Sequence, residues 1–183
     1  MARLEPVPTE RLSPYFRDLV AADEEAGRDP ALNGVMAHHP KFFEDYFSFY
    51  YPNHEQGLVD SRVKELARLK IARLNGCQTC GMARYASATR EGLDEACIAQ
   101  LDVPEEEQSF SDRERLAVEF AERMATDHFS IDDAFIKDLQ EHFSSAEILE
   151  LGFMIGQYLG FGRLLVALGV HEYSAVPYVA GLG

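Results

Sequence analysis

The chain has 183 residues, of which 46% are hydrophobic and 26% charged, and this composition is typical of a packed globular protein and not of a disordered one. A chain of this length fits a single domain, residues 1–183, whose core needs no disulfide or metal for stability. The formal net charge of −14 at pH 7 argues against binding to nucleic acid or to an anionic membrane surface.

The N-terminal stretch and the cysteine count predict a reducing compartment. The opening residues, MARLEPVPTERL, contain no apolar run of signal-peptide length. The 3 cysteines are too few for the disulfide framework of a small secreted protein. We therefore expect a cytoplasmic location.

Two helices are predicted in the first third of the chain. Ser13 is a suitable N-cap with Pro14 at the first helical position, and this helix should end at Gly27. Pro40 opens PKFFEDYFSFYY, whose aromatic residues recur at helical spacing, which favours a core face over a ligand platform. We expect Pro52 to close this second helix.

The next segment contains the first two cysteines. Asp60 can cap a helix over SRVKELARLKIARLN, which should end at the breaker Asn75-Gly76. A further helix should then take in the cysteines in its first turns and run to about Glu91-Gly92.

The C-terminal half carries two further helix-start signals. Ser111–Glu114 (SDRE) and Ser144–Glu147 (SSAE) both match the capping box, in which the hydroxyl and the carboxylate each accept an orphan backbone N–H. Between them, SIDDAFIKDLQEHF predicts a shorter helix. Since no stretch of clean alternation argues for a strand, the predicted fold class is all-α, a helical bundle.

The segment from Leu151 to Val170 is the most apolar part of the sequence. It includes Arg163, whose charge near the middle of a spanning helix costs at least ~2.5 kcal/mol, so we do not expect a membrane helix. Glycines at every fourth position, Gly152, Gly156 and Gly160, allow two helix backbones to approach closely. The segment is predicted to be the innermost helix of the bundle or part of a subunit interface.

The stretch NGCQTCGMARY places two cysteines three residues apart, and three interpretations compete for them. A structural zinc site needs four ligands, but only Cys97 follows Cys77 and Cys80, with no second pair and no H-x3-5-H motif. We therefore expect no metal. The cysteines can also be small buried hydrophobes without chemistry. The third interpretation is a working dithiol.

Three features favour the dithiol. Cys77 should lie close to a helix N-terminus, where free N–H groups stabilise a thiolate, and Cys80 should lie one turn on. If the helix continues, Arg84 shares the face of Cys80 and its charge lowers a thiol pKa. Glu65 on the preceding helix is a candidate proton carrier whose pKa an apolar setting would raise, although an ion pair with Arg68 is an equally good interpretation.

The segment ELARLKIARLNGCQTCGMARYASATREGL resembles the core motif of the carboxymuconolactone decarboxylase superfamily, in its AhpD-like alkylhydroperoxidase branch. That branch carries E-x11-C-x2-C-x3-H, and Glu65, Cys77 and Cys80 stand at matching positions. The resemblance extends over most of the chain from Met36 to Val170. It implies an all-α homo-oligomer, a dimer, trimer or hexamer. It also implies a CxxC that a hydroperoxide oxidises and a dithiol donor reduces, without a cofactor.

The sequence departs from the family pattern at Arg84, where the motif has histidine. An arginine stays protonated and cannot shuttle a proton, but it can hold Cys80 as a thiolate or pair with Glu65. His38, His39, Tyr85 or a residue of a second subunit can replace the missing histidine.

Several choices stay open at this stage. The helix terminus favours Cys77 as the attacking cysteine, whereas Arg84 favours Cys80. Besides a thiol-dependent peroxidase, a disulfide reductase, a decarboxylase-like lyase and a non-catalytic redox-responsive oligomer are alternatives, and the lyases of the family act without a CxxC.

Overall fold

The structure is a computed structural model that describes residues 2–181, with residue 105 described by its backbone alone. These residues form ten α-helices, a few short 3-10 turns and two three-residue strands. The helices are α1 (Pro14–Glu25), α2 (Ala31–Met36), α3 (Pro40–Gln56), α4 (Ser61–Asn75), α5 (Gln78–Met82), α6 (Ala86–Arg90), α7 (Glu95–Ala99), α8 (Asp112–Thr126), α9 (Asp133–His142) and α10 (Ser145–Leu168). The strands are β1 (Ala83–Tyr85) and β2 (Tyr178–Ala180).

Helix α4 is the central element of the bundle. It packs against both α8 and α10, and also contacts α3, α5 and α6. Leu66, Ala67 and Leu69 are completely buried, as apolar residues of a helix surrounded by others must be. Because α4 also carries Glu65 and Arg68, these two charges are held inside the protein and not at its surface.

The predicted helix starts are confirmed in position, although the side chain of Asp60 makes no cap hydrogen bond to α4. The Ser13 side chain accepts a hydrogen bond from the backbone N–H of Phe16, and both capping boxes, at Ser111 and at Ser144, are complete. Helix α4 ends at Gly76 in the left-handed conformation, with φ of 63°, as the Asn-Gly breaker predicted. The all-α prediction is also confirmed, apart from the single pair of short strands.

The prediction of one continuous helix after the cysteines is wrong. Helix α5 ends at Met82, and the next three residues pair with β2 in parallel, with Ala83 opposite Tyr178 and Tyr85 opposite Ala180. The side chain of Arg68 donates to the backbone carbonyls of Cys80 and Ala83, so the acceptors that a continuing helix needs are occupied.

The predicted end of the second helix is also wrong, because α3 continues through Pro52 to Gln56. Pro52 lacks the N–H that would bond to the carbonyl of Ser48, and the helix continues without that one hydrogen bond. In the same turn, the side-chain amide of Asn53 donates to the carbonyl of Phe49 at 2.7 Å. The extra turn brings His54 into the protein interior.

Helix α10 is, among the described helices, the one that is long and apolar enough to cross a membrane by length and composition. Its inner face packs into the core as in a bundle helix, with Leu151, Met154, Ile155, Tyr158 and Leu165 buried. The predicted close approach of helix backbones is not seen at the three glycines, since a Cβ at Gly152 would meet the side-chain ring of Phe120, at 3.1 Å, and not a backbone. Gly156 and Gly160 have open space beside them.

Candidate active site

Cys77 and Cys80 form a disulfide whose Cα atoms are 5.3 Å apart. Cys77 caps α5, and its sulfur accepts the backbone N–H of Cys80 at 3.3 Å, as expected for a cysteine at a helix N-terminus. Only 2% of Cys77 is exposed, whereas Cys80 is half-buried and lines a cavity. The two sulfurs therefore differ in access, and Cys80 is the one that a molecule in the cavity can reach.

The third cysteine lies elsewhere. Cys97 is a free, buried thiol beside the guanidinium of Arg62, whose Nη2 is 3.1 Å from its sulfur. Burial raises the pKa of the Cys97 thiol despite this cation, so it is an unreactive thiol. In the part of the chain that the structure describes, no group of three or more His, Cys, Asp or Glu side chains is placed to hold a metal ion.

The cavity beside Cys80 has a volume of about 270 Å³ and a wall rich in aromatic side chains. Helices α3 and α10 supply most of the rings, and the C-terminal segment around β2 closes one side. The aromatic lining residues are Tyr15, Tyr46, Phe47, Tyr50, Tyr51, Tyr85, Tyr158, Phe161, Tyr173 and Tyr178. The aromatic spacing of α3 was interpreted as a core face, but the structure gives it both roles, since Tyr50 is 7% exposed and also lines the cavity.

Glu65 and Arg68 form a buried ion pair one turn apart on α4. The guanidinium donates two parallel hydrogen bonds, Nε to Oε2 at 2.6 Å and Nη2 to Oε1 at 2.7 Å, and the carboxylate is fully buried. Burial by itself would raise the pKa of Glu65, but the charge and hydrogen bonds of Arg68 outweigh it and lower this pKa. The expectation of a raised pKa is therefore wrong, and Glu65 is ionised.

His54 is a site residue that the sequence analysis missed. Its ring is fully buried, with Nε2 3.2 Å from Oε2 of Glu65 and Nδ1 2.8 Å from the hydroxyl of Tyr158. The contact of Nε2 with Glu65 does not have hydrogen-bond geometry, whereas the contact of Nδ1 with Tyr158 is a hydrogen bond. Ending α3 at Pro52 excluded His54 from any helix. His54 stands four residues after Tyr50, and this helical spacing was the sequence signal that α3 continues to His54. In the structure the two rings stack at a centroid distance of 5.6 Å.

Arg84 lies away from the cavity and does not contact Glu65. Alternation along β1 buries Ala83 and Tyr85 in the cavity wall and turns Arg84 to the opposite face. There its Nε and Nη2 donate to Glu95 at 2.7 and 3.0 Å. The predicted helical spacing from Cys80 to Arg84 fails because β1 replaces the helix, and Arg68 is the arginine that pairs with the site glutamate.

Among the suggested replacements for the motif histidine, two lie outside the site. His38 and His39 are exposed, and Nε2 of His38 is 2.8 Å from the carbonyl of Glu5. Tyr85 does lie in the cavity wall, with its ring 4.3 Å from the ring of His54. The structure therefore brings together Cys80, Glu65, Arg68, His54 and a set of tyrosines.

Comparisons with known proteins fit this arrangement. No protein-family model matches the chain. Two curated relatives are similar in sequence. Uncharacterized protein YdfG of Bacillus subtilis (strain 168) is 23% identical over 116 residues, 63% of this chain and 79% of YdfG. Uncharacterized protein YnjA of Escherichia coli (strain K12) is 32% identical over 99 residues, so the match spans only 54% of each protein.

Three solved structures are similar over most of the chain. One is an uncharacterized peroxidase-related protein with an alkylhydroperoxidase AhpD core from Ralstonia eutropha JMP134, at 17% identity and a TM-score of 0.74, covering 95% of this chain and 93% of that one. The chain has the AhpD-like fold. A putative antioxidant defence protein AhpD from Agrobacterium tumefaciens, ATU0492, has a TM-score of 0.64 at 22% identity and covers 79% of this chain and 96% of that one. A peroxidase-related protein from Silicibacter sp. TM1040 has a TM-score of 0.70 at 17% identity, covering 95% and 92%.

Together with the CxxC pair, the AhpD-like fold confirms the resemblance given by the sequence.

Proposed function

We propose that this protein is a thiol-dependent peroxidase that reduces organic hydroperoxides with Cys77 and Cys80. The observation that carries the proposal is the position of Cys80, which lines an aromatic cavity and is bonded to a second, buried cysteine. Chemistry of this type needs one accessible sulfur to attack and one nearby sulfur to resolve the product. We assign attack to Cys80 and resolution to Cys77.

The reaction balances with these two residues and a dithiol donor. The Cys80 thiolate attacks the terminal oxygen of a hydroperoxide ROOH, the O–O bond breaks, and the sulfur becomes a sulfenic acid while RO⁻ takes up a proton to leave as ROH. The Cys77 thiol then attacks the sulfenic sulfur, which forms the disulfide and releases water. An external dithiol reduces the disulfide by exchange and is itself oxidised to a disulfide.

The surroundings of Cys80 favour a substrate with an apolar group. Phe47 and Phe161 lie in the cavity wall with ring centroids 6.2 Å apart, and a volume of about 270 Å³ admits more than hydrogen peroxide. Two arginines line the cavity, and Arg28 is paired there with Asp23, whereas Arg68 donates a hydrogen bond to the carbonyl of Cys80. Arg68 can favour the Cys80 thiolate, the role that the sequence had suggested for Arg84, and it can also stabilise the departing oxyanion.

The same dithiol would serve a disulfide reductase, so the test must separate the two activities. We would follow consumption of cumene hydroperoxide with excess dithiothreitol by the wild type, by Cys80→Ser and by Cys77→Ser. A peroxidase should turn over as the wild type. Cys77→Ser that has been reduced and then freed of dithiothreitol should consume one equivalent and stop at a Cys80 sulfenic acid, which dimedone traps, and Cys80→Ser should consume none.

Cys97→Ser is the matched control, because Cys97 is buried outside the cavity and should leave turnover unchanged. If the wild type consumes no hydroperoxide but its Cys77–Cys80 disulfide exchanges readily with dithiothreitol, the protein is a disulfide reductase instead. A dithiol that reacts with neither reagent until the protein unfolds would identify a non-catalytic protein. The proposed cycle needs a supply of dithiol, which agrees with the expected cytoplasmic location.

A further inference from the structure

All 8 tyrosines of the chain line the cavity beside Cys80, and charged side chains interrupt this aromatic wall. Among the described residues, the charged ones in the wall are Asp23, Arg28 and Arg68. Two guanidiniums and one carboxylate leave an excess of one positive charge, although the formal net charge of the chain is −14. The wall therefore suits an anionic group on an otherwise apolar ligand.

Arg68 has little left to donate to such a ligand. Its Nε and Nη2 bond to the carboxylate of Glu65, and its Nη1 and Nη2 bond to the carbonyls of Cys80 and Ala83. Each of its three nitrogens thus already donates to the protein, and the residue is only 5% exposed. The charge of Arg68 acts on Cys80, but its hydrogen bonds are used within the protein.

Arg28, in the turn between α1 and α2, is held along one edge of its guanidinium. Nε donates to Asp23 at 3.2 Å and to the hydroxyl of Tyr173 at 2.9 Å, and Nη2 donates to the carbonyl of Ala22 at 3.4 Å. Nη1 donates no hydrogen bond to any residue that the structure describes, and 23% of the side chain is exposed. This cation therefore keeps donors for a ligand in the cavity.

The surroundings of Arg28 fix its orientation. Asp23 is 1% exposed and accepts hydrogen bonds from Arg28, from the hydroxyl of Tyr173 and, at 2.6 Å, from the side-chain amide of Asn33. Cζ of Arg28 lies 5.4 Å from the ring centroid of Tyr173 and 5.7 Å from that of Tyr178, within the range of cation–π contacts. A guanidinium held in this way loses little freedom when a ligand binds.

A single tyrosine connects Arg28 to the cysteine motif. The ring of Tyr178 lies beside Arg28, and its hydroxyl donates to the carbonyl of Thr79 at 3.3 Å. Thr79 directly precedes Cys80, and all four residues line the cavity. A short ligand can therefore reach from Arg28 to Cys80 along the tyrosine wall.

We propose that Arg28 is the specificity-determining residue of this cavity and binds the carboxylate of an apolar acid, whose body packs against the tyrosines toward Cys80. Arginine and carboxylate form a charge-assisted pair of defined geometry. A volume of about 270 Å³ lies just below the usual ~300–1,000 Å³ of ligand pockets, so the acid is a short one. The substrate is then the hydroperoxide of such an acid, a step that rests on the proposed peroxidase function.

The first test measures binding without any peroxide. We would titrate the oxidised wild type with 4-phenylbutyrate and with 4-phenylbutyramide, which has nearly the same shape but no charge, by isothermal titration calorimetry. The acid should bind at least about tenfold more tightly than the amide. Because the net charge of −14 by itself disfavours an anion, this preference would identify a local cation.

Arg28→Gln should remove the preference for the acid and leave the affinity for the amide unchanged. Glutamine can still donate to Asp23, which also keeps its bonds from Asn33 and Tyr173. Arg73→Gln is the matched control, because Arg73 likewise pairs with a carboxylate, Asp102, at 2.5 and 2.8 Å, but lies outside the cavity. This control should keep the wild-type preference.

The second test locates the bound acid relative to Cys80. We would reduce the protein, remove the reductant, and measure alkylation of Cys80 by iodoacetamide, with peptide mass spectrometry to separate the cysteines. At ten times its Kd, 4-phenylbutyrate should slow this alkylation about tenfold in the wild type. The same concentration should give little protection in Arg28→Gln.

The inference is wrong if the wild type binds acid and amide equally or binds neither, if Arg28→Gln keeps the preference, or if the bound acid leaves alkylation of Cys80 unchanged. The comparison of acid with amide needs no variant, so it decides the matter if Arg28→Gln does not fold. A wild type that consumes cumene hydroperoxide but does not prefer the acid would overturn this inference and leave the proposed function in place. A wild type that prefers the acid but consumes no hydroperoxide would overturn the proposed function and leave the carboxylate site.

Discussion

At the scale of single residues, burial distinguishes Arg68 of α4 from Arg84 of β1. Arg68 is 5% exposed and paired with Glu65 inside the protein, whereas Arg84 pairs on the surface with Glu95, whose side chain is 64% exposed. A buried pair is costly to break because the remaining charge is left without a partner. An exposed pair contributes only about 0–1 kcal/mol.

We therefore expect opposite results from two arginine variants. Arg68→Met leaves a buried carboxylate unpaired and should reduce the free energy of unfolding by about 3–5 kcal/mol. Arg84→Ala should change it by no more than about 1 kcal/mol, and Arg84→His should not increase the reactivity of Cys80, because the residue lies on the far face of β1. Urea denaturation measures the first two effects. A faster Cys80 in Arg84→His would contradict the assignment.

His54 should also make stability depend on pH. Since its pKa in the folded protein lies below the unfolded value of 6.5, the unfolded chain binds the proton more readily than the folded one. Stability is therefore full above pH 6.5 and falls as the pH drops through 6.5 toward the folded pKa. We expect His54→Gln to lose less in melting temperature than the wild type between pH 7.5 and pH 5. Parallel curves for the two proteins would show that His54 does not contribute.

At the scale of elements, local rules predict the helices and fail where distant groups act. The sequence predicts the helices that follow Ser13, Ser111 and Ser144, because an N-cap side chain bonds to backbone groups within three residues. The end of α5 cannot be predicted from such local rules. It depends on the guanidinium of Arg68 and on β2, which joins β1 from the far end of the chain.

The same contrast between local and distant interactions separates the site residues that the sequence predicts from those that it does not. The CxxC pair and Glu65 were visible in the sequence because their spacing is a short motif on adjoining helices. His54 and Tyr158 could not be paired in advance, since they come from α3 and α10 and meet only through the packing of both helices near α4. The choice between Cys77 and Cys80 depended on exposure, which no spacing rule supplies.

A glycine next to β2 gives a test of how tightly this strand closes the cavity. Gly181 has φ of 91°, and a Cβ there would lie 2.2 Å from Oε1 of Glu55 and 2.7 Å from the ring of Tyr85. Gly181→Ala should therefore loosen the end of β2 and speed the reduction of the Cys77–Cys80 disulfide by added dithiothreitol.

Gly156→Ala is the matched change in a helix. A Cβ at Gly156 has open space around it, and the residue has ordinary helical φ. The substitution should therefore raise the free energy of unfolding by up to about 1 kcal/mol and leave the rate of disulfide reduction unchanged. Equal reduction rates in Gly181→Ala and the wild type would mean that β2 does not limit access.

At the scale of the whole molecule, one outer face of the bundle is unusually apolar. Leu149 and Phe153 of α10 are 74% and 55% exposed, and the ring of Phe153 contacts that of Phe49 on α3 at a centroid distance of 5.8 Å. Gly156 and Gly160 continue the same side of α10 with open space beside them. Contiguous exposed apolar groups mark interaction surfaces. Together with the homo-oligomer that the family resemblance implies, they make this face our candidate subunit contact.

We expect the protein to be a homo-oligomer in solution and Phe153→Asp to dissociate it, because a carboxylate buried in a subunit contact lacks a partner. Light scattering after size-exclusion chromatography measures the mass. Phe129→Asp is the control, since Phe129 is 86% exposed on the turn before α9, outside this face, and should leave the mass unchanged. A wild type with the mass of one chain would contradict the expectation, and loss of mass in Phe129→Asp would place the contact elsewhere.

The position of β2 has a consequence for synthesis on the ribosome. Cys77 and Cys80 are close in sequence, so their disulfide can form as soon as α5 has emerged, whereas the cavity wall is incomplete until Tyr178–Ala180 has been translated and has paired with β1. A nascent chain therefore exposes its thiols before it encloses them. In the reducing cytoplasm where we expect this protein, we expect the compartment, and not the fold, to protect the dithiol during that interval.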